Sequence, residues 1–282
     1  MITLVTDSTA YLTKEEAAAL QVRLIPMHYA AGGKSYSESF VDCNGDFAQQ
    51  IKAVGTGACA TAQASVSDFV GVFQAIVNGG GEALCLVISS RLSGAYSSAC
   101  IAAKAVDPEK VRVVDSRTTA GGLALLLKQA AALVRQGYPL ADIATRVKKM
   151  RERIGVAFSV ENMDALRRSG RLSIVRQSVS SILNIRPILC LEKDGGALIS
   201  GGTVRGRNGQ MQALTDRVPD GATEVIVESL GSAYRALALT ERLRARFPQA
   251  AVSQAAVGPV LAINIGLDVI GVAWICADGE NG

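Results

Sequence analysis

Histidine is almost absent from this 282-residue chain, which has only His28. That excludes His-rich metal centres and any triad needing a second imidazole. Six cysteines are present, but none forms a CxxC pair, so a zinc ribbon or a disulfide framework is not expected. Cys85 and Cys190 lie within apolar runs and read as buried free thiols, as in a cytoplasmic protein. Aromatic residues make up only 5%, leaving no stacking platform for bases, and the formal charge is a modest +4. Nucleic acid is therefore not expected as a partner. The chain also lacks a phosphate loop, an HExxH helix and a DxD pair. The longest apolar tract, VGPVLAINIGLDVIGVAWIC, contains Pro259, Asn264 and Asp268, which excludes a lipid-facing helix. The opening MITLVTDSTA has no basic flank and is too short in apolar residues for a signal peptide.

What remains is an alternation of strand-like and helix-like runs. MITLVTD predicts a strand, and TKEEAAAL a helix capped by Thr13 with Glu16 at its third position. VRLIPMHY predicts a second strand, in which His28 is a partly buried strand residue. VSDFVGVFQAIVNGG, GAYSSACIAAKAV and GGLALLLKQAAALVRQG predict helices interleaved with the strands EALCLVISS and KVRVVDS. Beyond Arg153 come the strand RIGVAFSV, a helix ended by Gly170, a hairpin turning at KDGG, and a final α/β unit. The expected fold is α/β with two domains, 1–155 and 156–282. The first has a mainly parallel sheet covered by helices, and the second a smaller mixed sheet.

Four loops leaving strands or entering helices are rich in hydroxyls: TDSTA, CATAQAS, ISSRLSGAYSSA and VVDSRTTAGG. In the third, Ser90 and Ser93 offer donors, Gly94 permits close backbone approach, and the next helix adds its free N–H groups. An anion can be held there without lysine. The same serines are also common helix caps, so both readings stand on these residues alone.

In order along nearly the whole chain, VTDSTA, GGKSY, TAQAS, ISSRLSGAYSSA, VVDSRTTAGG, RRSGRLS, NIRPIL, VRGR and GPVLAINIG resemble the DegV family of bacterial fatty-acid-binding proteins. Some of its members are the lipid-binding subunit of a fatty acid kinase. The resemblance implies a non-enzymatic protein without cofactor or metal, holding a long-chain fatty acid in an interdomain cleft. The motifs place the carboxylate on Thr61 and Ser93, with Ser90, Gly94 and Asn264 nearby. They also assign Arg171 and Arg205 to a kinase partner or an acyl phosphate. Arg167 and Arg168 read instead as a solvated helix end, and Arg176 completes the basic cluster. The last motif departs from the family pattern: Asn264 stands where a histidine is expected, and Asp268 would repel an acid if it faced the site. Two other readings are an enzyme using Asp7 or Asp115 on a small phosphorylated or carboxylated substrate, and a binding module for a different ligand exploiting Asn264 and Asp268.

Overall fold

The computed structural model describes residues 1–161, 163–171 and 184–278; Arg176 lies outside them. The first half runs β1 (Ile2–Asp7), α1 (Lys14–Ala19), β2 (Val22–Ile25), β3 (His28–Ala31), β4 (Lys34–Ser37), α2 (Phe47–Val54), β5 (Cys59–Ala62), α3 (Val66–Asn78), β6 (Glu82–Val87), α4 (Ala95–Val106), β7 (Val111–Asp115), α5 (Ala120–Arg135) and α6 (Leu140–Met150). The second runs β8 (Ile154–Val160), α7 (Asp164–Ser169), β9 (Ile185–Leu191), β10 (Leu198–Arg205), α8 (Gly206–Arg217), β11 (Ala222–Leu230), α9 (Ala233–Arg246), β12 (Ala251–Ala256), α10 (Pro259–Ile265) and β13 (Val269–Cys276).

Strands β2-β1-β6-β7 form a wholly parallel sheet, as alternating strands and helices require. Helices α3 and α4 cover one face, while α5 and α6 cover the other. The predicted capping box of α1 is present, with Thr13 and Glu16 exchanging backbone bonds. The single strand expected over VRLIPMHY is instead two. Pro26 has no N–H to give a ladder, so the chain leaves the parallel sheet there and β3 joins β4 and β5 in a small antiparallel sheet.

The second sheet, β10-β9-β8-β13-β11-β12, is mixed. It was expected to be the smaller, yet it has six strands against four in the parallel sheet. Its chain segment is shorter, but all six of its strands join one sheet, whereas the seven strands of the first half divide between the parallel sheet and the small antiparallel one. The predicted hairpin is β9–β10, whose tip returns through Gly196 at φ +67°.

Helix α5 lies between the two sheets. Its sequence, AGGLALLLKQ, is apolar almost all round, the pattern of a helix buried on every side. Leu125, Leu126 and Leu127 are fully buried, in one core with Leu84 and Leu86 of the parallel sheet and Ile226 and Ala273 of the mixed sheet. A Cβ on Gly122 would lie 2.8 Å from Val156 Cγ2 and 2.1 Å from Thr118 Oγ1. Glycine there is what lets α5 press against β8. The far face of the mixed sheet is covered by α8 and α9.

Candidate functional site

A cavity of about 370 Å³ opens between the two halves. That is within the size range of small-molecule sites. Met27 and Ile88 line it from the first half, and Phe158, Leu191, Leu198 and Val269 from the second. The walls are mostly hydrocarbon, and the polar groups gather in two places.

The first group is at the opening. Thr61 comes from near the end of strand β5, Ser93 from the loop between β6 and α4, Arg171 from just beyond α7, and Asn264 from α10. Gly170 ends α7 in the left-handed conformation, at φ +70°, and turns the chain so that Arg171 reaches the cavity. The Arg171 guanidinium donates through Nη1 to Asn264 Oδ1 at 3.0 Å and to the Ser169 carbonyl at 2.8 Å. No carboxylate pairs with Arg171 among the described residues. With its oxygen taken, the Asn264 amide donates through Nδ2 to Thr61 Oγ1 at 3.3 Å and to the Val260 carbonyl at 2.7 Å. Thr61 thereby accepts from the amide and keeps its own O–H proton to give away. The result is a chain of donors from a cation through two neutral groups into the cavity. Ser93 Oγ accepts from the Ala95 N–H at 3.3 Å, so it helps start α4 while its hydroxyl proton stays available.

Helix α10 carries Val260, Leu261, Asn264 and Ile265 on one face toward the cavity. It was not foreseen as a helix, although Gly258 precedes it and Pro259 occupies its first position. Two buried side chains of the first half satisfy its open N–H groups. Glu38 accepts from Val260 N at 2.8 Å, and Tyr11 Oη accepts from Leu261 N at 3.0 Å. Glu38 also accepts from Ser8 Oγ at 2.6 Å. Burial raises its carboxyl to about 7, against the lowering effect of those bonds. These contacts fix the helix that presents Asn264.

Other residues singled out in the sequence are placed elsewhere. Ser90 turns away from the cavity: Asp115 at the end of β7 takes its hydroxyl at 2.5 Å and its N–H at 3.1 Å. Gly94 does not line the cavity. A Cβ there would come 2.2 Å from Gln63 Oε1, so the glycine makes room for a protein side chain, and Gln63 goes on to donate to Ser98 Oγ. Arg205 is exposed at the start of α8, also outside the lining. Asp268 pairs with Arg235 and meets Glu161, so it does not oppose an acid in the cavity. His28 is partly exposed on β3 with Ser37 and Asp68 beside it.

The aspartates of the enzymatic reading are engaged in structural bonds. Asp7 is fully buried, caps the turn at Thr9, and accepts from Ile88 N at 2.7 Å; burial raises its pKa. Asp115 holds Ser90 and the Arg117 N–H. Neither lines the cavity. No group of His, Cys, Asp and Glu suited to a metal occurs among the described residues. No helix there is long and apolar enough to cross a membrane.

Sequence reasoning missed the second polar group, Glu228 of β11 and Thr119 just before α5, both buried and both lining the cavity. A carboxylate inside the apolar run EVIVESL was the available signal for Glu228.

The profile of the DegV family, described as "Uncharacterised protein, DegV family", matches residues 1–277. A DegV domain-containing protein of Deinococcus radiodurans is 32% identical over 217 residues, covering 77% of this chain and 76% of the relative. Among solved structures, a DegV lipid binding protein from Thermotoga maritima is similar with a TM-score of 0.88 and 25% identity, covering 99% of each chain. A Thermus thermophilus structure described as showing fatty acid binding of a DegV family protein has a TM-score of 0.86 and 26% identity, over 98% of this chain and 99% of that one.

Proposed function

This chain belongs to the DegV family, and from that premise we propose that it is a binding protein for a long-chain fatty acid or a related acidic amphiphile. The acyl chain occupies the cavity between the halves, and the carboxylate lies at the opening. The observation that carries this reading is the coupling of an apolar cavity to the Arg171–Asn264–Thr61 donor chain at its opening. Hydrogen bonds to an ionised oxygen are the stronger kind, and each link polarises the next. Burial of the chain supplies most of the affinity, at roughly 0.8 kcal/mol per methylene. Asn264 replaces the charge of a protonated histidine indirectly, because Arg171 provides the charge behind it. The third reading, a module for a different ligand, keeps Asn264 at the cavity but not Asp268, which Arg235 holds.

The chain divides in this reading near residue 155, between α6 and β8, and the ligand lies where the parts meet. None of the six cysteines forms a disulfide among the described residues, which suits a reducing compartment such as the cytoplasm. The bound carboxylate is offered to a fatty acid kinase, with Arg171 beside the head group and exposed Arg205 on the partner surface. The protein is a partner of that reaction rather than its catalyst.

The test is to purify the protein from bacterial cells, extract it with solvent and identify acyl species by mass spectrometry. The delipidated protein is then melted with and without added stearic acid. One bound acyl chain per protein and a ligand-dependent rise in Tm are expected. No acyl species together with no rise would refute the reading. If the kinase role holds, Arg205→Glu slows phosphorylation by such a kinase without changing lipid affinity.

A further inference from the structure

A carboxyl group lies in the wall of a cavity otherwise lined mostly by hydrocarbon. Glu228 of β11 is 5% exposed and lines that cavity. Its Oε1 accepts from the Gly121 N–H, in the first turn of α5, at 2.6 Å. Its Oε2 has no partner among the described residues, and it is not one of the fully enclosed unbonded oxygens such as Thr119 Oγ1. Oε2 therefore keeps surface open to the cavity. No cation neutralises it. The cross-strand neighbours of Glu228 are Gly271 on β13 and Ala255 on β12. On α5, Lys128 pairs with Glu224 instead. Tyr11, from the turn after β1, feels the charge of Glu228 and holds its proton more tightly, and the buried acids Glu38 and Asp7 push it the same way. Among the described lining residues the one other charged side chain is Arg171 at the opening, which bonds Asn264 and the Ser169 carbonyl. Burial holds the Glu228 carboxyl at about 7, with the Gly121 N–H acting against it.

Solvent entering the cavity can hydrate Oε2. An acyl chain replaces that solvent with methylenes, against which an ionised oxygen is strongly disfavoured. We propose that Glu228 makes acyl binding proton-dependent: the chain packs against the neutral carboxyl, and ionisation of that carboxyl loosens it. The proposal rests on the acyl-binding reading of the cavity and adds a control on its affinity. Occupancy disfavours the charged form, so the carboxyl titrates higher with ligand bound than the value of about 7 it has without. Binding then takes up a proton between the two values. Affinity is full below about 7 and falls as pH rises above it, by at most about tenfold per unit.

The experiment titrates delipidated protein calorimetrically with dodecanoic acid, kept below its aggregation concentration, at about pH 6 and about pH 8. Each titration is run in two buffers of different ionisation enthalpy, which counts the protons exchanged. The acid itself is ionised at both values, as a carboxyl of pKa about 4.3 must be. Wild-type protein is expected to bind about tenfold more weakly at the higher pH and to take up close to one proton there, about the full charge of Glu228. Glu228→Gln keeps an oxygen for the Gly121 N–H but cannot ionise, so it binds equally at both values without uptake. The wild-type proton count decides the matter alone if that variant does not fold. Equal wild-type affinity at both values with no proton taken up would overturn the proposal and leave the acyl-binding reading standing. So would an uptake that persists in Glu228→Gln, which would assign the proton to another group such as Glu38. Absence of binding at both values would overturn the acyl-binding reading together with the proposal.

Discussion

Thr61 is the residue on which the opening depends. Its hydroxyl accepts from Asn264, so its proton points to whatever anion arrives, and it is the last donor of a chain that begins at Arg171. Thr61→Val keeps the volume and ends the chain; the expected loss is about tenfold in fatty acid affinity, while Thr61→Ser stays near wild type, measured by calorimetric titration. Arg171→Gln is expected to weaken binding with a smaller dependence on salt, because the charge behind the chain is gone. A second prediction at this scale concerns Glu228, which burial raises from 4.5 to about 7. A raised carboxyl binds more protons folded than unfolded. Its favourable contribution is therefore full below about pH 4.5 and is lost as pH rises through about 7. Glu228→Gln cannot ionise and keeps an oxygen for the Gly121 N–H. Its stability relative to wild type should rise by about 3 kcal/mol between pH 4.5 and 8, from the raised value of about 7, followed by urea denaturation. A flat difference would place the carboxyl in water.

At the scale of elements, the legible parts were those with strong local signals. The apolar period and flanking glycines marked α3 and α5, Thr13 and Glu16 marked the start of α1, and the run KDGG marked the β9–β10 turn. What was not legible depends on partners distant in sequence. The seven residues of α10 are too few to show a period, and the helix is held by Glu38 and Tyr11, more than two hundred residues earlier. The break at Pro26 was available in the sequence, since proline rarely sits inside a paired strand. The site was half legible. Thr61 and Ser93 could be placed by motif, but Ser90 could not be seen to bond Asp115 across two strand ends. Helix α5 is the element that joins the halves, and at Gly122 it has no room for a Cβ beside Val156 of β8. Gly122→Val overpacks that contact and is expected to cost about 1–3 kcal/mol, read from the denaturation midpoint. Gly137→Ala, beyond the helix and open to solvent but at φ +78°, should cost only about 1 kcal/mol.

For the molecule as a whole, the parallel sheet, α5 and the mixed sheet form one continuous core, and the cavity lies beside it where the halves diverge. A ligand bridging Met27 and Ile88 on one side and Phe158 and Val269 on the other binds only the folded chain. Stabilisation should therefore grow with ligand concentration, reaching about 2.7 kcal/mol at a hundred times Kd. The most direct measurement is a crystal structure of the protein as purified from bacterial cells. The account predicts an elongated acyl chain between the halves with its carboxylate within hydrogen-bonding distance of Thr61 Oγ1 and Ser93 Oγ. A cavity closed by Phe158 and its neighbours, or an acyl chain whose carboxylate lies away from these hydroxyls, would contradict it.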